Sequence, residues 1–213
     1  MKLFSLEETF KLSIDEVKNL YKTNVSPAQV KLLSSFSFGK DLSDTSEGCY
    51  IFTKNGKKIL DFTGGFGVLN HGHNNQRIID ARINFQKKKK VEVHKNYLCP
   101  YLAALSHNIA SILPGDLNVS YLPNSGPEAN EGAIKLAYKF HEGKRKYILH
   151  SNISFHGKLL GTGSISASPE VKFNFPGLSN TDTFNWNNIE RKKEKIKKYE
   201  NDIFAIIIEP FSA

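Results

Sequence analysis

Residues 119–140 read VSYLPNSGPEANEGAIKLAYKF, which places a short apolar run, a turn and an amphipathic pattern next to one another. The apolar run 119–122 predicts a strand. Ser125, followed three residues later by Glu128, predicts a capping box at the start of a helix that extends to about residue 140. A strand that leads directly into a helix is typical of a βαβ unit, so this stretch predicts an α/β fold.

The same alternation continues on both sides of this stretch. Helical patterns lie near 76–90, 101–113 and 188–200, and apolar runs at 147–149 and 203–208 predict strands. Strands that alternate with helices favour a mainly parallel sheet with helices packed on its faces. Because an apolar strand comes so near the last residue, we expect the chain to be a truncated piece of a larger domain.

The first 70 residues follow a different pattern. Ser5-x-x-Glu8 and Ser13-x-x-Glu16 are capping boxes that predict two short helices. The strand-like segments 49–53 and 58–62 flank Asn55-Gly56, a pair typical of a type I′ hairpin turn. We therefore expect N-terminal helices and a β-hairpin ahead of the parallel sheet.

The composition is that of a globular protein, and it argues against several classes of function. The 213 residues are 39% hydrophobic and 23% charged, which is enough apolar material to fill a core. No apolar run approaches the ~20 residues of a membrane helix, and the N-terminus lacks the apolar segment of a signal peptide. Cys49 and Cys99 have no C-x-x-C spacing, so they indicate reduced thiols in a cytoplasmic protein.

The net charge of +8 raises the question of nucleic-acid binding. The lysine-rich runs 87–90 and 191–198 instead fit the end of one helix and the solvent-facing side of another. No aromatic residues alternate with these lysines. We expect neither a nucleic-acid nor a membrane partner; a basic nucleic-acid module is a remote third interpretation, which salt-dependent DNA binding would support.

Three segments could carry chemistry. Asn124–Glu131 ends on a helix N-terminus, where free N–H groups bind phosphate, although an ordinary capped helix has the same pattern. In Ser154–Gly163 an aromatic residue could stack on a planar cofactor, or the segment could be a simple turn. His71 and His73 could ligate a metal, but glycine and asparagine neighbours indicate a loop without a third ligand. We therefore expect no metal site.

Together, these segments resemble the motifs of class III (ornithine, acetylornithine, GABA and putrescine-type) aminotransferases. The match runs from about residue 47 to the end and includes the D-x-x-x-G-x-G-x-x-N-x-G-H loop Asp61–His73, the phosphate-binding helix Asn124–Ala137, the aromatic-His-Gly turn Ser154–Gly161 and the I-E-P strand end Ile207–Pro210. The resemblance implies part of the type I fold of pyridoxal 5′-phosphate (PLP) enzymes. It also implies that residues 1–70 belong to the small domain and residues 71–213 to the large PLP-binding domain.

By this resemblance the cofactor site draws on seven residues: Ser125, Gly126, Pro127, Phe155, His156, Gly157 and Glu209. Ser125 and Gly126 would bind the phosphate, and Phe155 would stack on the pyridine ring. Phe66 would line the substrate pocket, often across a dimer interface. Pro127 departs from the family pattern because proline has no N–H to donate, so we expect weaker PLP retention than with serine or threonine.

The implied activity is that of a PLP-dependent transaminase, which moves an amino group from an amine or amino acid to a keto acid such as 2-oxoglutarate or pyruvate. The alternatives are an aminomutase, a decarboxylating transaminase, or a non-catalytic truncated remnant that acts as a binding or assembly partner. The family's Schiff-base lysine and ring-pairing aspartate follow the matched motifs, and Lys158 does not replace the lysine. We therefore expect no catalytic residue here, no activity of the chain alone, and a homodimer at full length.

Overall fold

The computed structural model describes residues 3–91, 96–167 and 176–210. The chain divides into two compact units, Met1–His94 and Lys95–Ala213. The predicted division into 1–70 and 71–213 concerns the domains of a full-length enzyme and stays a prediction. None of the helices in the described residues is both long enough and apolar enough to cross a bilayer.

The first unit begins with short capped helices. Its α-helices span Leu6–Phe10, Ile14–Asn24, Pro27–Ser35 and Gln76–Lys87, and a 3-10 helix spans Ser37–Lys40. Ser5 and Ser13 each accept a hydrogen bond from the backbone N–H three residues later, and Glu8 and Glu16 each accept one in return. Both predicted capping boxes are therefore confirmed.

The first unit also contains a three-stranded antiparallel sheet, in the order β1 (Ser43–Glu47), β2 (Tyr50–Thr53) and β3 (Lys58–Leu60). The predicted hairpin is confirmed, but the type I′ turn is wrong. Of the two turn residues, only Gly56 has a positive φ, 78°, and its N–H donates to the Thr53 carbonyl at 2.9 Å. A type I′ turn needs positive φ at both central residues, whereas here the left-handed glycine follows the turn.

The second unit carries the predicted parallel sheet. Its strands are β4 (Tyr147–Ser151), β5 (Thr181–Phe184) and β6 (Ile203–Ile207), in the order β5-β4-β6 with both pairings parallel. Helices span Pro100–Ile112, Gly126–Phe140, Leu160–Ser164 and Ile189–Lys198. The predicted α/β class is confirmed, with most boundaries within three residues of those expected.

The strand predicted at 119–122 is wrong. The backbone from 117 to 123 belongs to no strand, and Val119 is 92% exposed. A strand exists only as part of a hydrogen-bonded ladder, and residues 119–122 pair with no strand of the described residues. Its apolar side chains instead turn in part onto the following helix, where the Tyr121 ring lies against Gly132.

The core of the second unit lies on both faces of β4. One cluster consists of Ile134, Ile148 and Ile165, and the other of Leu149, Phe184 and Ile203. Neighbouring residues of a strand point to opposite faces, so Ile148 and Leu149 belong to different clusters. The helix Gly126–Phe140 carries Ile134 and covers one of these faces, which places its N-terminus near the segment that follows β4.

Candidate functional site

The helix Gly126–Phe140, here called the cradle helix, begins with two hydrogen-bond donors that have no acceptor among the described residues. Ser125 is its N-cap, and the Ser125 hydroxyl accepts a bond from the Glu128 N–H at 3.4 Å. Within the described chain this hydroxyl and the Gly126 N–H donate to no other group. A Cβ placed on Gly126 would meet no atom within 4 Å, so the helix end is open to an anion.

The predicted capping box of the cradle helix is only half formed. The Glu128 carboxylate accepts a hydrogen bond from the Asn124 N–H at 2.7 Å, not from the N–H of the N-cap Ser125. The carboxylate therefore reaches one residue further back and ties down the loop before the helix. This arrangement keeps Ser125 in place while its hydroxyl proton remains available.

The segment after β4 presents an aromatic ring at the same edge of the sheet. The Phe155 side chain is 51% exposed, and its backbone N–H donates to Oε2 of Glu209 at 2.9 Å. Glu209 comes two residues after β6, which pairs in parallel with β4. Because the carboxyl ends of parallel strands meet at one edge, the fold brings Phe155 and Glu209 together.

Two side chains of the cradle helix hold the aromatic-His-Gly turn. The Asn130 Nδ2 donates to the His156 carbonyl at 2.9 Å, and Oε1 of Glu131 accepts from the Thr162 N–H at 2.8 Å. Gly157 has a φ of 126°, and a Cβ there would lie 2.6 Å from Pro127 Cβ and Cγ. Glycine is required at 157 because of this close approach.

His156 is buried, with 6% of the residue exposed. Its backbone N–H donates to the Ser166 hydroxyl at 3.0 Å, and its Nε2 has no hydrogen-bond partner among the described residues. Burial lowers the pKa of His156, and the negative charge of Glu209 opposes that shift only in part. The imidazole is therefore neutral at pH 7.

Phe66 lies in the first unit, on the loop that follows β3. Its side chain is 95% exposed and its φ is 59°.

His73, one of the two histidines considered as metal ligands, contacts Oδ2 of Asp61 through Nε2 at 2.8 Å. Among the described residues no group of three histidine, cysteine or acidic side chains could hold a metal ion.

The second unit brings together at one sheet edge all seven residues predicted for the cofactor: Ser125, Gly126, Pro127, Phe155, His156, Gly157 and Glu209. Sequence reasoning assigned no role to the residues that join these segments: Asn130, Glu131, Thr162 and Ser166. Asn130 and Glu131 stand within the quoted helix motif. Two adjacent polar residues near the start of a helix were the sequence signal that could have indicated this contact role.

The chain is similar to known aminotransferases. The aminotransferase class-III family model matches residues 41–213. A putrescine aminotransferase from Pectobacterium atrosepticum is 29% identical over 204 residues, which are 92% of this chain and 43% of that protein. The chain thus spans less than half the length of this curated relative.

Solved structures share the fold. A transaminase from the marine bacterium Virgibacillus has a TM-score of 0.79 at 22% identity, covering 91% of this chain and 47% of that one. A second match is the taurine:2-oxoglutarate aminotransferase from Bifidobacterium kashiwanohense, solved with PLP and glutamate. Its TM-score is 0.72 at 21% identity, and the match covers 93% of this chain and 48% of that one. The ornithine aminotransferase from Toxoplasma gondii has a TM-score of 0.76 at 17% identity, and the match covers 99% of this chain and 50% of that one. The predicted partial fold of PLP-dependent aminotransferases is confirmed.

Proposed function

We propose, on the premise that this chain belongs to the class III aminotransferase family, that it forms the cofactor-holding part of a transaminase. The cofactor of this family is pyridoxal 5′-phosphate. The observation that carries the proposal is the meeting of an open helix N-terminus, the Phe155 ring and the Glu209 carboxylate at one sheet edge. Ligands of parallel α/β sheets bind at this edge.

The residues present fit the phosphate of this cofactor. The Ser125 hydroxyl and the Gly126 N–H are donors without acceptors in the described chain, and no atom fills the space beside Gly126. The helix dipole adds a partial positive charge at the same point. Ser125 and Gly126 bind the phosphate, and Pro127 contributes no N–H but starts the helix with a suitable φ.

The residues also fit the pyridine ring. Bound PLP supplies the reactive aldehyde and the electron-accepting ring that transamination needs. Phe155 stacks on this ring, since half of its side chain is open. Glu209 fixes the backbone of Phe155 through the 2.9 Å hydrogen bond, and Gly157 lets the turn lie against the cradle helix. We assign the neutral His156 to the support of this turn.

The remaining parts of the proposal concern the whole protein. The amino group passes from an amine or amino acid to a keto acid, with 2-oxoglutarate or pyruvate as the first acceptors to test, and Phe66 contacts the apolar part of the amine. We assign no lysine of this chain to the covalent link with the cofactor; Lys158 is exposed. We further propose a homodimer and a cytoplasmic location, the latter because the spacing of Cys49 and Cys99 is that of reduced thiols.

Amino transfer by the natural full-length protein tests the proposal. Putrescine is a sensible first donor because a relative is named for it, and glutamate formed from 2-oxoglutarate is the product to measure. We expect PLP-dependent glutamate formation and, in a Ser125→Ala variant, a higher PLP concentration for half-maximal rate. No amino transfer from any amine or amino acid with PLP present would overturn the proposal.

A further inference from the structure

The loop that carries Phe66 has an unusual backbone. Four consecutive residues have positive φ: Gly64 at 54°, Gly65 at 62°, Phe66 at 59° and Gly67 at 79°. The Gly67 N–H donates to the Thr63 carbonyl at 2.8 Å, which closes a left-handed helical turn. Left-handed backbone is unfavourable for a non-glycine residue, so the conformation of Phe66 needs support from its surroundings.

That support comes from one carboxylate. The Asp61 Oδ1 accepts hydrogen bonds from the Thr63 N–H at 2.9 Å and the Thr63 hydroxyl at 2.6 Å. Its Oδ2 accepts from the Gly65 N–H at 3.0 Å and lies 2.8 Å from His73 Nε2. The Asp61 side chain is 5% exposed, so these bonds are shielded from water.

His73 links this carboxylate to the antiparallel sheet. Its backbone N–H donates to the Gly48 carbonyl at 2.7 Å, and its carbonyl accepts from the Gly48 N–H at 3.0 Å. Gly48 connects β1 to β2. A Cβ on Gly72 would lie 3.0 Å from the Gly48 carbonyl oxygen, so the two segments are in tight contact. The left-handed turn is thus anchored to a hairpin through Asp61 and His73.

Phe66 is 95% exposed, so burial within the described residues does not offset its left-handed backbone. We propose that Asp61 and His73 are positioning residues, which lock the left-handed turn and so fix the direction in which Phe66 is presented to the substrate amine. This inference rests on the proposed function, in which Phe66 contacts the apolar part of the substrate. Pre-ordering such a ring favours amines that carry a matching apolar group.

A double-mutant cycle in the full-length protein tests this inference. The readout is the ratio of kcat/KM for phenethylamine to kcat/KM for ethylamine, two amines that differ only by a phenyl ring. We expect Phe66→Ala and Asp61→Ala each to lower this ratio about tenfold. In the Phe66→Ala background Asp61→Ala has no further effect on the ratio, because Asp61 acts through Phe66. The control is Asp80→Ala, which removes an exposed carboxylate that, within the described part of the chain, accepts a side-chain hydrogen bond only from Gln76.

Amide hydrogen exchange of the 213-residue chain supplies a readout that is independent of catalysis. Asp61→Ala accelerates exchange at Gly65 and Gly67, whereas Asp61→Asn, which keeps an acceptor for Thr63, has a smaller effect. Two results would overturn the inference and leave the proposed function intact. One is unchanged amide exchange in Asp61→Ala. The other is an unchanged ratio of kcat/KM for the two amines in Asp61→Ala when Phe66→Ala lowers that ratio. An absence of amino transfer in the parental protein removes the proposed function, and the inference falls with it.

Discussion

Gly157 lies where the aromatic-His-Gly turn meets Pro127 at the start of the cradle helix. Gly157→Ala introduces a Cβ 2.6 Å from the proline ring at a φ of 126°. We expect the turn to move away from the helix and the free energy of unfolding to fall by about 1–3 kcal/mol in urea titrations. Gly126→Ala is the matched control, because its Cβ meets no atom within 4 Å. Equal unfolding midpoints for both variants would contradict the described contact.

Pro127 affects the binding of the PLP phosphate rather than the stability of the fold. Its missing N–H removes one donor from the helix end, and a charge-assisted hydrogen bond is worth about 1.5–3 kcal/mol. We predict that Pro127→Ser or Pro127→Thr in the full-length protein binds PLP more tightly than the parental protein. The PLP dissociation constant, measured by equilibrium dialysis, decides the matter, and identical constants would show that the missing donor has no consequence.

At the scale of elements, ion pairs of Asp182 with Lys195 and Lys198 attach the helix Ile189–Lys198 to the sheet. Lys195, on the helix Ile189–Lys198, donates to both carboxylate oxygens of Asp182 on β5 at 2.7 and 2.6 Å, and the Tyr199 hydroxyl donates at 3.0 Å. Burial raises the pKa of Asp182, but the hydrogen bonds from Lys195 and Tyr199 outweigh it and hold this pKa below its usual value.

The sign of the pH dependence follows from this shift. A carboxyl whose pKa is lower in the folded chain stabilises the fold above its unfolded pKa of about 4 and loses that contribution as pH falls further. Asp182→Asn should lower the thermal midpoint at pH 7, and its deficit should shrink below about pH 4. Asp116→Asn, in an exposed loop, should show neither effect. A deficit that persists unchanged at acid pH would mean that the charge of Asp182 is unimportant.

The elements also show where sequence patterns fail. The apolar runs of β4 and β6 and the capped helices were predicted from sequence, because burial and capping require particular residue types. β1 (SDTSE) and β5 (TDTF) were missed, since polar strands at sheet edges have no apolar period to detect. The segment 119–122 has the residue pattern of a strand, but strand pairing depends on a neighbour that a local pattern does not reveal.

At the scale of the whole molecule, the α/β class and the family were predictable because four motifs occur in order along the chain. The side-chain contacts that assemble the site were not predictable in the same way. Asn130 reaches a carbonyl 26 residues away, and Glu209 reaches an N–H 54 residues away. Such partners are set by how the helix and the strands pack, which local residue patterns do not specify.

The proposed function requires that this chain itself holds the phosphate of the cofactor. Calorimetric titration with pyridoxine 5′-phosphate tests it directly, because this ligand lacks the aldehyde that would react with the many lysines of the chain. We predict one saturable site for pyridoxine 5′-phosphate and at least about tenfold weaker binding of phosphate-free pyridoxine. Ser125→Ala should bind pyridoxine 5′-phosphate more weakly than the parental chain. The control Ser111→Ala, a change on the helix Pro100–Ile112, should bind it as the parental chain does. Equal affinity for the two ligands, or the absence of saturable binding, would show that this chain has no phosphate site at the cradle helix.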